Sequence, residues 1–268
     1  MKNRVLATVM SFLLTTLICF AQSQNSLGVK GGQRKTDGST CDLTAQQLQD
    51  GTLDSDWVAK NSLNCYTEYL LAGHSYSVEV WDPWDAWNGY RAKLQLLDVS
   101  CNSGPSYTDV AYVDPVLFAT FAGRISWIVP ADDYYNIAVI NQDSVDSYDY
   151  NVRLSDTTLH SSRWSTWSGF GTQYAFVNET SSSISGILTV TESGGAKHTL
   201  NITIPANSEA FRTVQASGGD VNVGANKSGF SDFAYVGPEG AVMADAVIIN
   251  ASATVIEPVA FAARNYQH

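Results

Sequence analysis

The chain has 268 residues, of which 26 are Asp or Glu and 15 are Lys or Arg, and its formal net charge at pH 7 is -11. Such a surface repels phosphate groups, which excludes nucleic acid and anionic membranes from the expected partners. The acidity favours solubility, and acidic loops also offer ligands for a cation.

Residues 1–23 have the pattern of a cleaved signal peptide. Lys2 and Arg4 precede an uncharged apolar run over 5–20, and the small residues Ala21 and Ser23 offer cleavage positions. The run is shorter than the ~20 apolar residues of a typical membrane span, and no second run follows. We therefore expect an exported protein, secreted or held at the cell surface or in the periplasm, without membrane insertion after leader removal. Residues 24–40 are polar and predict a flexible lead-in.

Short stretches in which apolar and polar residues alternate follow from residue 41 onward, broken by turn residues at 72–73, 88–89, 102–105 and 132–133. Each alternation puts every second side chain on one face of a half-buried strand, so the pattern predicts a β-sandwich over 41–157. A short helical turn at 43–49 is the one exception. The alternating residues are Tyr76, Val78 and Val80; Leu94 and Leu96; Ile125, Trp127 and Val129; Tyr135, Ile137 and Val139; and Tyr148, Tyr150, Val152 and Leu154.

A polar hinge is predicted at 155–162, and a second series of apolar runs extends from about Trp164 to the C-terminus. These runs lie at 174–177, 187–190, 200–204, 211–214, 221–223, 233–236, 242–249 and 255–262. They predict a second β-sandwich over 163–268. The expected fold is therefore all-β, with two tandem antiparallel sandwiches of the jelly-roll or immunoglobulin-like kind after the signal peptide.

Three cysteines, Cys41, Cys65 and Cys101, remain once the leader is removed, which is an odd number in an oxidising compartment. We predict a disulfide between Cys41 and Cys65, because a crosslink would offset the looseness of the turn-rich segment around Cys41. Pairing of Cys65 with Cys101 is the alternative. The chain has no CxxC pair and no clustered His, so we expect no redox or metal-ligand role for these thiols.

An aromatic loop directly follows the strand that ends near Trp81. Exposed indoles in this loop would stack on the apolar faces of sugar rings, with the two carboxylates accepting hydroxyl hydrogen bonds; the alternative is that the rings fold inward and cap the core. The residues of this candidate ligand site are Trp81, Asp82, Trp84, Asp85, Trp87 and Tyr90. Trp164 and Trp167, near the start of the second sandwich, suggest either a similar platform or packing between the two sandwiches.

Asp143, Asp146 and Asp149 recur at every third residue in one acidic segment. Carboxylates and loop carbonyls are the ligands that Ca²⁺ prefers, so this segment is a candidate calcium site, although it lacks the Gly and the final Glu of an EF-hand. A solvated acidic loop explains the same pattern. We expect no other cofactor.

The four histidines, His74, His160, His198 and His268, are scattered, and the chain has neither an HExxH pair nor a GxSxG elbow. His74 is predicted to be an exposed turn residue. No catalytic residue is therefore assigned, and the chain is expected not to be an enzyme.

The first half resembles the bacterial pre-peptidase C-terminal domain, a small β-sandwich of secreted proteins. The similar segments are 51–56, 69–80, 94–98, 124–139 and 148–152. The resemblance implies an auxiliary role in secretion, folding or substrate contact and brings no catalytic residues.

The sequence therefore predicts a secreted, non-catalytic binding or structural protein that contacts an extracellular protein or surface. The first alternative is a carbohydrate-binding protein that uses the loop from Trp81 to Tyr90. The second alternative is a hydrolase whose serine, histidine and carboxylate meet only in the folded chain.

Overall fold

The structure is a computed structural model that describes residues 46–48, 50–51, 53–60, 62–81, 92–97, 123–141, 147–250 and 256–263. The regular structure of these residues consists of strands, with one 3-10 turn at Trp167–Gly169 and no α-helix. The prediction of an all-β fold is confirmed. Within the same residues, no helix has the length and apolar composition of a membrane span.

The strands follow the predicted alternations, and several polar segments form strands as well. In chain order they are β1 (Gln46–Gln47), β2 (Leu53–Val58), β3 (Ser62–Leu70), β4 (Ser75–Trp81), β5 (Ala92–Leu97), β6 (Gly123–Ile128), β7 (Asp133–Asn141), β8 (Tyr148–Asp156), β9 (Leu159–Ser165), β10 (Phe170–Asn178), β11 (Ile184–Glu192), β12 (Lys197–Ile204), β13 (Ser208–Gln215), β14 (Val221–Asn222), β15 (Ser228–Tyr235), β16 (Val242–Asn250), β17 (Ile256–Val259) and β18 (Phe261–Ala263).

The first eight strands form two four-stranded sheets, in the orders β1-β3-β7-β5 and β2-β8-β4-β6. The pairs are antiparallel except for β1 and β3, which run parallel. Side chains from both sheets make one buried cluster, as the alternation predicts. Its fully buried members include Tyr66, Leu70, Ile125, Tyr135 and Tyr150, and burial of an aliphatic side chain such as Leu70 contributes about 1.5–3 kcal/mol.

Strands β9 to β18 form two five-stranded sheets, in the orders β12-β11-β15-β9-β18 and β14-β13-β10-β16-β17. A separate buried cluster lies between them and combines aliphatic side chains with the aromatic rings of Trp164, Tyr174, Phe176, Phe233 and Tyr235. The rings of Phe176 and Phe233 lie 4.3 Å apart, one from each sheet. The buried clusters of the two pairs of sheets have no residue in common.

The structure differs from the predicted hinge at 155–162, because β8 continues to Asp156 and β9 begins at Leu159. The connecting residues Thr157 and Thr158 are buried. The Oγ1 atom of Thr157 donates to the Ser75 hydroxyl at 3.0 Å, and the Ser75 amide donates to Thr158 Oγ1 at 2.9 Å. Polar residues are tolerated in this interior because their hydrogen bonds are satisfied.

The prediction of a short helical turn at 43–49 is wrong for residues 46–48, the part of this segment that the structure describes. Gln46 and Gln47 form β1, paired with Tyr66 and Thr67 of β3. Pairing with a neighbouring strand overrides the local helix preference of this stretch.

Candidate functional site

The outward face of the β2-β8-β4-β6 sheet brings together residues that lie far apart in the chain. Trp57 of β2 pairs with Asp149 of β8, while Asn151 of β8 pairs with Ser55 on one side and with Trp81 of β4 on the other. Directly paired residues, and residues two apart on one strand, lie on the same face of a sheet. We call these five residues, Ser55, Trp57, Trp81, Asp149 and Asn151, the aromatic face.

Trp57 stands on an edge strand and is 40% exposed. Its amide donates to the Asp56 carboxylate at 2.8 Å, and the Ser55 amide donates to the Asp54 carboxylate at 3.0 Å. Behind it, the side-chain amide of the buried Asn64 donates to the Trp57 carbonyl at 2.8 Å. The backbone that carries the indole is therefore held by hydrogen bonds to Asp56 and Asn64, while part of the Trp57 side chain stays exposed to solvent.

The centre of the aromatic face is polar. Ser55 Oγ donates to Asn151 Oδ1 at 2.6 Å, and Asn151 is only 9% exposed although it lies on an outward face. Within the described residues, the Asn151 side-chain NH2 group donates no hydrogen bond and Asp149 is exposed. The face thus offers a hydrogen-bond donor and an acceptor beside two indoles, of which Trp81 is half-buried.

Beside the aromatic face, Glu79, Arg124, Arg153 and Glu239 form a chain of ion pairs, which we call the ion-pair ladder. Glu79 is almost fully buried and accepts from Arg124 Nε and from Arg153 Nη2, both at 2.9 Å. Arg153 also lies 3.4 Å from Glu239, whose carboxylate accepts from Ser155 Oγ at 3.1 Å. Two carboxylates and two guanidinium groups neutralise one another here, which compensates for the burial of Glu79.

Glu239 belongs to the β15–β16 connection, so this contact joins the second pair of sheets to the first. Acidic groups cluster nearby. Burial raises the pKa of Asp50, and the carboxylates of Asp156 and Glu239 raise it further. Burial also raises the pKa of Glu68 to about 7, with a smaller contribution from Asp50.

Of the predicted ligand residues, the structure describes Trp81 and shows it at the end of β4; Asp82, Trp84, Asp85, Trp87 and Tyr90 lie outside the described residues. Of the predicted calcium ligands, Asp149 is exposed on β8, and Asp143 and Asp146 lie outside them. Among described residues, no group of three His, Cys, Asp or Glu side chains is arranged to hold a metal ion. The structure therefore unites one residue of each predicted site on one face and adds Trp57, which the sequence analysis missed.

His74 is not an exposed turn residue, as predicted, but is buried against Asp156, with its Nδ1 atom 2.8 Å from Oδ2. The prediction was wrong because the chain turns inward after Gly73, and the buried Asp156 carboxylate supplies the imidazole with a partner. His160 pairs with Asp232 at 2.7 Å, and His198 pairs with Glu192 at 3.0 Å. Hydrogen bonds from Lys227 and His198 lower the pKa of Glu192.

These histidine–carboxylate pairs are two of the three parts of a hydrolytic triad. For His160 and His198, the described residues include no serine hydroxyl bonded to the ring. Trp164 is buried inside the second pair of sheets, where its Nε1 atom donates to the carbonyls of Thr191 and Phe230. It is therefore a core residue and not an indole between the two pairs of sheets, whereas Trp167 is 54% exposed.

Cys65 takes part in a disulfide. It is the one cysteine among the described residues, so its partner lies outside them, as do Cys41 and Cys101. The pairing of Cys41 with Cys65 stays a prediction.

No family model matches the chain, and no curated protein matches it. Among solved structures, the chain is similar to Bacteroides uniformis beta-glucuronidase 2 covalently bound to cyclophellitol-6-carboxylate aziridine, with 10% sequence identity and a TM-score of 0.20. The match covers 76% of this chain and 26% of the glucuronidase, so it spans about a quarter of that enzyme's length. A likeness of this size says nothing about a reaction or a ligand.

Proposed function

We propose that the protein is an exported, non-catalytic binding protein whose ligand contacts the aromatic face of the β2-β8-β4-β6 sheet. The observation that carries the proposal is the shared register of Trp57, Asp149, Asn151 and Trp81 on one outward surface. Exposed tryptophans that border polar groups are typical of binding surfaces, because an indole contributes a large contact area at a small cost in conformational entropy.

The rigidity of the scaffold supports the same function. Asn64 and the two aspartates of β2 fix the backbone under Trp57, and the ion-pair ladder braces β4, β6 and β8. A surface held in its binding geometry before the ligand arrives loses less entropy on association. The resemblance of the first half to an auxiliary secreted domain agrees with a binding role.

The proposal is tested by incubating the labelled mature chain with the surface fraction and the culture medium of the organism that produces it. We expect the wild-type chain to be retained on one of these and Trp57→Ala to reduce retention about tenfold. Trp167→Ala is the matched control, because it removes an even more exposed tryptophan from the turn between β9 and β10, away from the aromatic face.

Absence of retention for the wild-type chain would contradict a binding function. Equal loss in the Trp57 and Trp167 variants would contradict the assignment to this face. The melting temperatures of both variants should match that of the wild type, so that a loss of binding is not confused with unfolding.

A further inference from the structure

We infer that the aromatic face binds an uncharged polysaccharide, with Trp57 and Trp81 stacking on separate sugar rings and with Asn151 and Asp149 hydrogen-bonding hydroxyl groups between them. The inference rests on the proposed function and names the ligand of the same site. It differs from a loop-only site, because one of its two stacking residues, Trp57, comes from the edge strand β2, which β8 separates from the β4 strand of Trp81.

The aromatic face has an aromatic side chain for the apolar faces of a sugar ring and polar groups for its hydroxyls. A pyranose ring has apolar C–H faces and a polar hydroxyl rim, so it needs flat aromatic surfaces together with donors and acceptors at their edges. The indole of Trp57 supplies such a surface, and the Asn151 NH2 group and the Asp149 carboxylate supply a donor and an acceptor beside it. A protein partner would be expected to meet a larger apolar centre.

The spacing favours a chain of sugars over a single ring. Trp57 and Trp81 are separated by one intervening strand and by one two-residue step along β8. With strands about 4.8 Å apart and a rise of about 3.4 Å per residue, their Cα atoms are about 12 Å apart. A ligand that stacks on both indoles must therefore cross β8 diagonally, over Asn151, as an oligosaccharide would.

Charge favours an uncharged ligand. Arg124 and Arg153 are already paired with Glu79 and Glu239, so neither of these two described guanidinium groups beside the face is left over for a uronate or a sulfate. Of the five residues of the aromatic face, Asp149 is the one that carries a charge, and the whole chain carries -11. A polyanion would be repelled, whereas hydroxyl groups donate readily to a carboxylate.

The test is affinity electrophoresis of the full mature chain in native gels that contain a single polysaccharide. The neutral probes are hydroxyethylcellulose, xyloglucan, galactomannan, laminarin and soluble starch, and the anionic probes are alginate and polygalacturonate. The variants are Trp57→Ala, Trp57→Tyr and Trp81→Ala, with Trp167→Ala as the control. Trp57→Tyr keeps a flat ring at the same exposed position.

We expect retardation by at least one neutral polysaccharide, weakened about tenfold by Trp57→Ala and less by Trp57→Tyr, and unchanged by Trp167→Ala. Retardation by the anionic probes alone, by none of the probes, or equally in wild type and Trp57→Ala would overturn the inference. Since Trp81 is half-buried, Trp57→Ala decides the outcome if the Trp81 variant does not fold.

Failure of this inference is distinguishable from failure of the proposed function. In the surface-retention experiment, whichever material retains the chain, the surface fraction or the culture medium, is treated before a second incubation. One portion is treated with periodate, which cleaves sugar diols, and another with proteinase K. Loss of retention after periodate alone supports a glycan. Retention that depends on Trp57 but is lost only after proteinase K keeps the binding function and overturns the polysaccharide.

Discussion

The carboxylate of Asp156 lies 2.8 Å from the imidazole Nδ1 of His74, and both side chains are buried where the first pair of sheets ends. The other oxygen of the same carboxylate accepts from the Thr158 amide at 2.9 Å, and the Asp156 amide donates to Asp50 at 2.6 Å. This one residue therefore connects the residue that precedes β4, the end of β8 and the segment that leads into β9.

We expect His74→Ala to lower the free energy of unfolding by about 2 kcal/mol, because it leaves a buried carboxylate without its imidazole partner. Urea denaturation of the two proteins measures the difference. His198→Ala is the control, since its pair with Glu192 is more exposed and its loss should cost less than the loss of the His74 pair. Equal effects of the two substitutions would contradict the structural role of His74.

Stability should depend on pH through Glu68, whose pKa burial raises to about 7 from its ordinary value of 4.5. A carboxyl group with a raised pKa in the folded state binds its proton more tightly there than in the unfolded chain. Its contribution to stability is therefore complete below pH 4.5 and is lost as the pH rises through about 7. The raised pKa of Asp50 adds a dependence of the same sign.

We expect Glu68→Gln to flatten the decline in unfolding free energy between pH 5 and pH 8, as measured by urea titrations at several pH values. Glu209→Gln, at an exposed position on β13, should leave the slope as it is in the wild type. A Glu68→Gln protein with the wild-type slope would show that this carboxyl is not the group that titrates.

The disulfide of Cys65 is predicted to include Cys41, with Cys101 free. Non-reducing peptide mapping by mass spectrometry, after alkylation of free thiols, identifies the linked peptides. Reduction should then lower stability by about 3 kcal/mol, if the crosslink restricts the unfolded chain. A linked Cys65–Cys101 peptide would contradict the predicted pairing.

Gly229→Ala should be strongly destabilising. A Cβ atom at this position would meet the carbonyl oxygen of Thr191 at 1.8 Å, at the point where the pairing of β15 with β9 shifts register. Neither backbone segment can move without breaking its hydrogen bonds to the neighbouring strand. We therefore expect the unfolding free energy, measured by thermal or urea unfolding, to fall by about 3 kcal/mol or more. Gly194→Ala is the matched control, because a Cβ there meets nothing within 4 Å and should change little.

The sequence predicted the strands whose inward side chains are apolar, such as β4, β7 and β8, because their alternation has a period of two. It missed the strand character of β2, in which Asp54 and Asp56 alternate with Leu53, Ser55 and Trp57 and so resemble an acidic turn. Trp57 therefore escaped notice. The signal that was available is the spacing of Leu53, Ser55 and Trp57, which share one face.

Two further differences have one physical cause. The sequence predicts His74 as an exposed turn residue and places Ser155 and Thr158 in a polar hinge, yet all three are buried. Each finds its hydrogen-bond partner on a segment far away in sequence: Asp156 for His74, Glu239 for Ser155, and the Ser75 amide for Thr158. Such pairings follow from the folded arrangement and have no local pattern by which they could be recognised.

The two aspartates of β2 have a consequence for the behaviour of the protein at high concentration. The edge strand of a sheet has unpaired backbone groups that can bind a strand of another molecule, and repeated addition of strands leads to fibrils. Here the carboxylates of Asp54 and Asp56 engage the amides of the next residues and add negative charge to the same border. The exposed Trp57 can therefore lie on the edge strand β2, because the charge of these aspartates opposes strand-to-strand association between molecules.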